Sequence, residues 1–277
     1  MAEQVVVVVG VGGMGELIAE RQGAGKRVLL ADFSEASLTR VAERLTGNGF
    51  DVLTHPVDVS DADSVAALAA AAAEAGEIVQ FVHTAGLSPA QAPTEAVLRV
   101  DLAGVALALE EFGRVIAPGG AGVVIASMAG HFAAGRFPAE LEQSLTTTPA
   151  RELLSLPIAQ PGALPDAGAA YSLAKRANQL RVAAASLAWG ERGARVNSIS
   201  PGVISTPMGQ QELASESGAG MRAMIQASGT GRIGTPSDIA AAAAFLLGPE
   251  SSFITGTDLL VDGGVVAAVR NGRLNLG

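Results

Sequence analysis

Short apolar runs alternate with amphipathic stretches along nearly the whole chain. Residues 4–9 are almost all valine, the pattern of a strand covered on both faces, and they break into Gly10-Val11-Gly12-Gly13-Met14-Gly15 before a helical pattern that reaches Arg21. The rhythm then repeats: strand 27–31, helix 35–47, strand 51–55, helix 61–75, strand 78–83, helix 94–112 and strand 122–126. A helix over 169–189, a strand at 194–199, an alanine-dominated helix over 239–247 and a strand at 257–261 complete it. Alternating strands and helices with short joins call for a parallel sheet covered on both sides. The expectation is an α/β fold: one Rossmann-type doubly wound sheet of about seven strands, forming a single domain over 1–277 with a C-terminal tail at 265–277.

Residues 131–167 break the rhythm. They carry prolines at 138, 149, 157, 161 and 165, and proline is tolerated in a helix's first turn, so two short helices are expected, from Pro138 and from Pro149. Leu141, Leu145, Leu153, Leu154, Leu156 and Ile158 give the insertion an apolar side. That side suits a substrate lid, a partner surface or packing on the domain, since long irregular excursions are often functional.

Composition narrows the function. The chain has 277 residues, 49% of them apolar, and a formal net charge of −9, with no basic cluster to meet a phosphate backbone or an anionic membrane. Nucleic acid and membrane are therefore not expected partners. The absence of cysteine excludes disulfides and thiolate metal sites, and His55, His83 and His131 lack paired-ligand spacing, so no metal is expected. The start has no basic region and leads into only five valines, too short for a signal segment or a span, which implies a soluble cytoplasmic protein.

The loop after the first strand carries the first candidate chemistry. Glycines at 10, 12 and 13 let the backbone turn tightly and approach a pyrophosphate, whose charge meets the free N–H groups of the following helix, beginning near Met14. The second strand ends in Asp32, 22 residues after Gly10, where a carboxylate binds adenosine ribose hydroxyls; its competing role is a helix N-cap, which Ser34 would fill instead. Phe33 and Ser34 follow Asp32 without a nearby Arg or Lys, and a carboxylate repels a 2′-phosphate, so NAD is favoured over NADP. Asp58-Val59 and Thr84-Ala85-Gly86 follow the next two strands and would line the same crevice. Asp58 would meet the adenine amino group or cap the helix that starts near Asp61.

The second centre is Tyr171-Ser172-Leu173-Ala174-Lys175, which holds the only tyrosine and one of two lysines in the chain. Residues four apart share a helix face, and a neighbouring cation lowers a phenol's pKa from about 10. Ser127 at the end of the fifth strand would present a hydroxyl to the same crevice. Reduction of a ketone builds charge on oxygen, which that hydroxyl and a proton from Tyr171 would stabilise.

In this order, the glycine loop, Asp32, Asp58-Val59, Thr84-Ala85-Gly86, Ser127, Tyr171-x-x-x-Lys175, Pro201-Gly202 and Asp262-Gly263-Gly264 resemble the short-chain dehydrogenase/reductase family from Val5 to Gly264, the insertion excluded. The resemblance implies an NAD(H)-dependent oxidoreductase interconverting a secondary alcohol and a ketone. In it Tyr171 is the general acid/base, Lys175 lowers its pKa and binds the nicotinamide ribose, and Ser127 holds the substrate oxygen. It also places Pro201, Ile204 and Thr206 near the nicotinamide and Ala85 and Gly86 at the ribose. Three departures stand out: a glycine loop one residue short, Thr84 in place of asparagine, and Asp101 where a helix asparagine usually joins the catalytic set. An ionised Asp101 accepts hydrogen bonds but cannot donate them, so it would hold a water near Lys175 and restrain the lysine's influence on Tyr171. The leucine-rich insertion points to an apolar small-molecule carbonyl or alcohol. The family's habit points to a homodimer or homotetramer.

Overall fold

The computed structural model describes residues 3–215 and 218–275. Seven strands, β1 (Gln4–Val9), β2 (Arg27–Asp32), β3 (Asp51–Pro56), β4 (Glu77–His83), β5 (Ala121–Ile125), β6 (Arg195–Pro201) and β7 (Asp258–Val261), form one sheet. Their order is β3-β2-β1-β4-β5-β6-β7, every neighbouring pair parallel. This is the expected Rossmann-like α/β fold.

The valines of β1 show why the sheet needs two covers. Val5, Val7 and Val9 enter the core shared with α3 (Ala62–Ala75), α5 (Val105–Val115) and α8 (Ala167–Glu191). Val6 and Val8 enter the core shared with α1 (Gly13–Gln22), α2 (Glu35–Gly47) and α11 (Pro236–Leu247). Alternate side chains point to opposite faces, and burying each valine contributes about 1.5–3 kcal/mol, so a strand of valines is stable only where both faces are covered.

The strand order reverses between β1 and β4. There Thr84 and Ala85 both donate their backbone N–H to Val9 O, at 2.7 and 3.0 Å, and the two chains diverge to leave a crevice at the carboxyl ends.

Two sequence expectations are corrected. The helix expected over 94–112 is a rod of three pieces, α4 (Thr94–Val97), a π-helical stretch (Leu98–Gly104) and α5, with Asp101 in the middle of the π stretch. The second helix of the insertion is 3₁₀, in two short pieces at Ala150–Ser155 and Pro157–Ala159. Closely spaced prolines remove backbone donors, and short tight turns are what remains. The first is α7 (Ala139–Thr147).

The insertion is fastened to α8. Leu145 and Leu153 are fully buried, Arg176 grips Glu142 at 2.8 and 3.1 Å, and Arg181 donates to Leu145 O, Thr148 O and Glu110. The C-terminal segment forms α12 (Val265–Arg270). No helix of the described residues is long and apolar enough to cross a membrane.

Candidate active site

The crevice holds two adjoining cavities. The first, about 540 Å³, is lined by Gly10, Gly12, Gly13, Met14, Asp32, Phe33, Asp58, Val59, Ala85 and Gly86. Gly10 has φ +90°, and a Cβ there would overlap the Ala85 backbone, so only glycine turns the chain this tightly. Thr84 braces the turn from β4, its hydroxyl donating to Gly10 O at 2.6 Å. Gly12 caps α1 without a side-chain bond and faces open space. The first-turn N–H groups of α1 are therefore available to an anion.

Asp32 accepts from Val11 N at 2.7 Å and Ser34 N at 2.8 Å, which ties the glycine loop to the end of β2. The N-cap of α2 is Ser34, so capping does not claim Asp32. Asp61 caps α3, while Asp58 accepts from Ser60 N and Ser60 Oγ and stays on the cavity wall. Two glycine-approached turns, a helix N-terminus and a strand-end carboxylate make a cradle that fits a dinucleotide.

The second cavity, about 550 Å³, is lined by Ser127, Tyr171, Lys175, Pro201, Ile204 and Thr206, and shares Met14, Thr84, Gly86, Leu87, Thr206 and Met208 with the first. Asp166 caps α8, accepting from Ala169 N at 2.8 Å, so Tyr171 and Lys175 lie in its first turns. Lys175 Nζ is 5.3 Å from the centroid of the Tyr171 ring and 3.4 Å from Ile125 O. Ser127 lines the same cavity as the phenol and acts to lower it.

Asp101 lines neither cavity. It is fully buried, accepts from Leu87 N at 3.0 and 3.3 Å and lies 3.7 Å from Lys175 Nζ. A Cβ on Gly86 would come within 2.6 Å of its carboxylate, so glycine is what lets this carboxylate approach. Burial pushes the Asp101 carboxyl up, against the pull of Lys175 and of the Leu87 N–H. Burial pulls the Lys175 ammonium down, but Asp101 and Tyr171 more than reverse that and leave it raised, so the lysine stays charged.

One expectation fails in its sign. Lys175 does lower the Tyr171 phenol, but burial outweighs it, and Asp101 and Glu212 also push the phenol up, so its net shift is upward. A phenolate on this half-buried cavity wall is held by nearby charge, and here the cation's effect is shared with a buried carboxylate.

Other lining residues went unread in the sequence. After Thr206, which caps α9 (Pro207–Ala214), the chain runs through α9 and α10 (Gly218–Ala227) over the second cavity. They bring Met208, Glu212, Met221 and Met224 to its wall, which Met128 and Phe132 on α6 (Met128–Ala133) also line. The Thr206-Pro207 pair, a cap followed by proline at the first helical position, was the available signal for α9.

The comparisons agree with this architecture. The family profile described as short chain dehydrogenase matches residues 4–139, and the one described as Enoyl-(Acyl carrier protein) reductase matches residues 157–266. The chain is 43% identical over 267 residues to the short-chain dehydrogenase/reductase bsc3 of Alternaria brassicicola, covering 96% of this chain and 97% of that one. It is 32% identical to a cis-4-hydroxycyclohexanecarboxylate dehydrogenase of Sinomonas cyclohexanicum, covering 96% and 98%. The crystal structure of levodione reductase superimposes with a TM-score of 0.75 at 26% identity, covering 96% and 98%. The chain belongs to the short-chain dehydrogenase/reductase family, whose members named here are dehydrogenases and reductases.

Proposed function

We propose that this protein is an NAD(H)-dependent oxidoreductase that interconverts a secondary alcohol and a ketone on a mainly apolar small molecule. The observation that carries it is the placement of Ser127, Tyr171 and Lys175 on one cavity that opens directly into the cavity bearing Asp32 and the glycine loop. Gly10, Gly12, Gly13 and Met14 would approach the pyrophosphate, Asp32 the adenosine ribose, and Asp58 and Val59 the adenine. Ala85, Gly86 and Lys175 would take the nicotinamide-side ribose, and Pro201, Ile204 and Thr206 the nicotinamide itself. When bound, the nicotinamide supplies or accepts the hydride.

The chain's own residues handle the oxygen and its proton. Ser127 holds the substrate oxygen, and Tyr171 gives it a proton during reduction or takes one during oxidation. The raised phenol stays protonated at neutral pH, the form that ketone reduction needs. Lys175 offers positive charge next to the Tyr171 ring, and Asp101 fixes that ammonium in place. The names of relatives, a galactitol 2-dehydrogenase, a D-threitol dehydrogenase and a levodione reductase among them, support alcohol and ketone chemistry. A cytoplasmic homodimer or homotetramer completes the proposal. The test is NADH absorbance with a panel of ketones and secondary alcohols: turnover is expected, and NADH binding without turnover of any of them would favour a cofactor-binding protein instead.

A further inference from the structure

The substrate end of the second cavity has an unusual lining. Five of the six methionines of the chain line the second cavity, Met14 and Met208 where it meets the first and Met128, Met221 and Met224 away from it; thioether side chains are apolar, polarisable and adaptable, and suit an apolar substrate of irregular shape. Against these walls stand two carboxylates, Glu212 on α9 and Asp166 at the start of α8. The only basic side chain among the lining residues is Lys175, and it is already paired with Asp101. Glu212 Oε1 accepts the hydroxyl of fully buried Ser88, which lies in the loop after β4. Its other oxygen, Oε2, takes no hydrogen bond among the described residues. Glu212 is also close enough to Tyr171 to act on the phenol electrostatically.

We infer that Glu212 sets the charge class of the substrate: the cavity takes an uncharged, mainly apolar alcohol or ketone with a hydroxyl that Glu212 Oε2 accepts, and turns away carboxylates, phosphates and sulfonates. The inference deepens the proposed function and rests on its assignment of this cavity to the substrate. The physical ground is twofold. A substrate anion would face Glu212 and Asp166 across a methionine-lined cavity whose only basic side chain, Lys175, is already paired with Asp101. A substrate hydroxyl would instead donate a charge-assisted hydrogen bond to Glu212 Oε2. The relative from Sinomonas cyclohexanicum is named for a carboxylate substrate, so the two proteins are expected to differ in this respect.

The experiment uses a matched pair, cyclohexane-1,4-diol and 4-hydroxycyclohexanecarboxylate, on the full-length protein and on Glu212→Gln and Ser88→Ala. Two quantities are read: kcat/KM for oxidation with NAD, and calorimetric affinity for the NADH-loaded protein, which needs no turnover. The natural protein is expected to prefer the diol at least tenfold. Glu212→Gln keeps the length and the contact to Ser88 but removes the charge, and is expected to move that preference at least tenfold toward the acid, through a gain for the acid. Ser88→Ala, which removes the contact and keeps the charge, is expected to leave the preference within threefold. An unchanged preference in Glu212→Gln, or the same change in Ser88→Ala, would overturn the inference, because packing of α9 rather than charge would then be responsible. Turnover without charge discrimination would leave the proposed reaction standing and remove this inference. Binding with the expected preference but no turnover would do the opposite, and failure of both compounds to bind would remove the inference.

Discussion

Asp101 and Lys175 form an ion pair sealed from solvent, Nζ 3.7 Å from Oδ1, with the same ammonium 5.3 Å from the Tyr171 ring. Taking two charges out of water is costly, and removing one partner costs more still because the other is left buried alone. Lys175→Met is therefore expected to lower stability by about 3–5 kcal/mol at neutral pH. The sign with pH follows from the carboxyl. Asp101 is held above its ordinary value by burial first of all, so folding favours its protonated form, and that contribution is lost as pH rises through the raised value. Without the lysine that value rises further. The deficit of Lys175→Met, read from urea unfolding, should shrink as pH falls; a deficit that grows toward acid would contradict the ion pair.

The upward shift of Tyr171 fixes a pH dependence. Burial first, then Asp101 and Glu212, raise the phenol against Lys175 and Ser127, so oxidation, which needs the phenol to take a proton, should still be climbing at about pH 9. Reduction should stay nearly flat between about pH 6 and pH 8, where the donor remains protonated. Asp101→Asn removes one of the raising charges and should move the oxidation limb to lower pH. A limb that moves to higher pH would contradict the assigned direction.

Asp32 faces the first cavity with no basic side chain beside it on the wall. NADH is expected to bind more tightly than NADPH, and Asp32→Asn to narrow the difference by about tenfold, or about 1.4 kcal/mol. Fluorescence titration of both cofactors reads this directly, and equal affinities in the natural protein would count against it.

The Thr84 hydroxyl ties the end of β4 to the glycine loop at Gly10 O. Thr84→Val keeps the shape and removes the donor, so a loss of about 1 kcal/mol in stability is expected. NADH affinity should fall by about threefold to tenfold with it, since 1.4 kcal/mol is tenfold. Unchanged cofactor affinity would show that the glycine loop holds itself.

Much of this molecule was legible in the chain because its signals are local. A valine run needs two covers, a strand end needs a turn, and Tyr171 and Lys175 share a face wherever a helix forms. What stayed hidden depends on packing between distant segments. The π stretch around Asp101 has no sequence period of its own, and it is the approach of Gly86 that lets the carboxylate reach Lys175. The methionines of α9 and α10 are scattered in sequence and meet only when those helices close over the crevice. The sign of the Tyr171 shift is hidden for the same reason: adjacency to a cation is visible in spacing, whereas burial and the approach of Glu212 are visible only in three dimensions.

The central claim is that Tyr171 moves the proton in the second cavity, and Tyr171→Phe tests it most directly. Single-turnover reduction of a ketone that the natural protein accepts should slow by about 10²–10⁴-fold, while NADH binds with unchanged affinity. A variant that retains NADH binding and reduces the ketone at the natural rate would contradict the account.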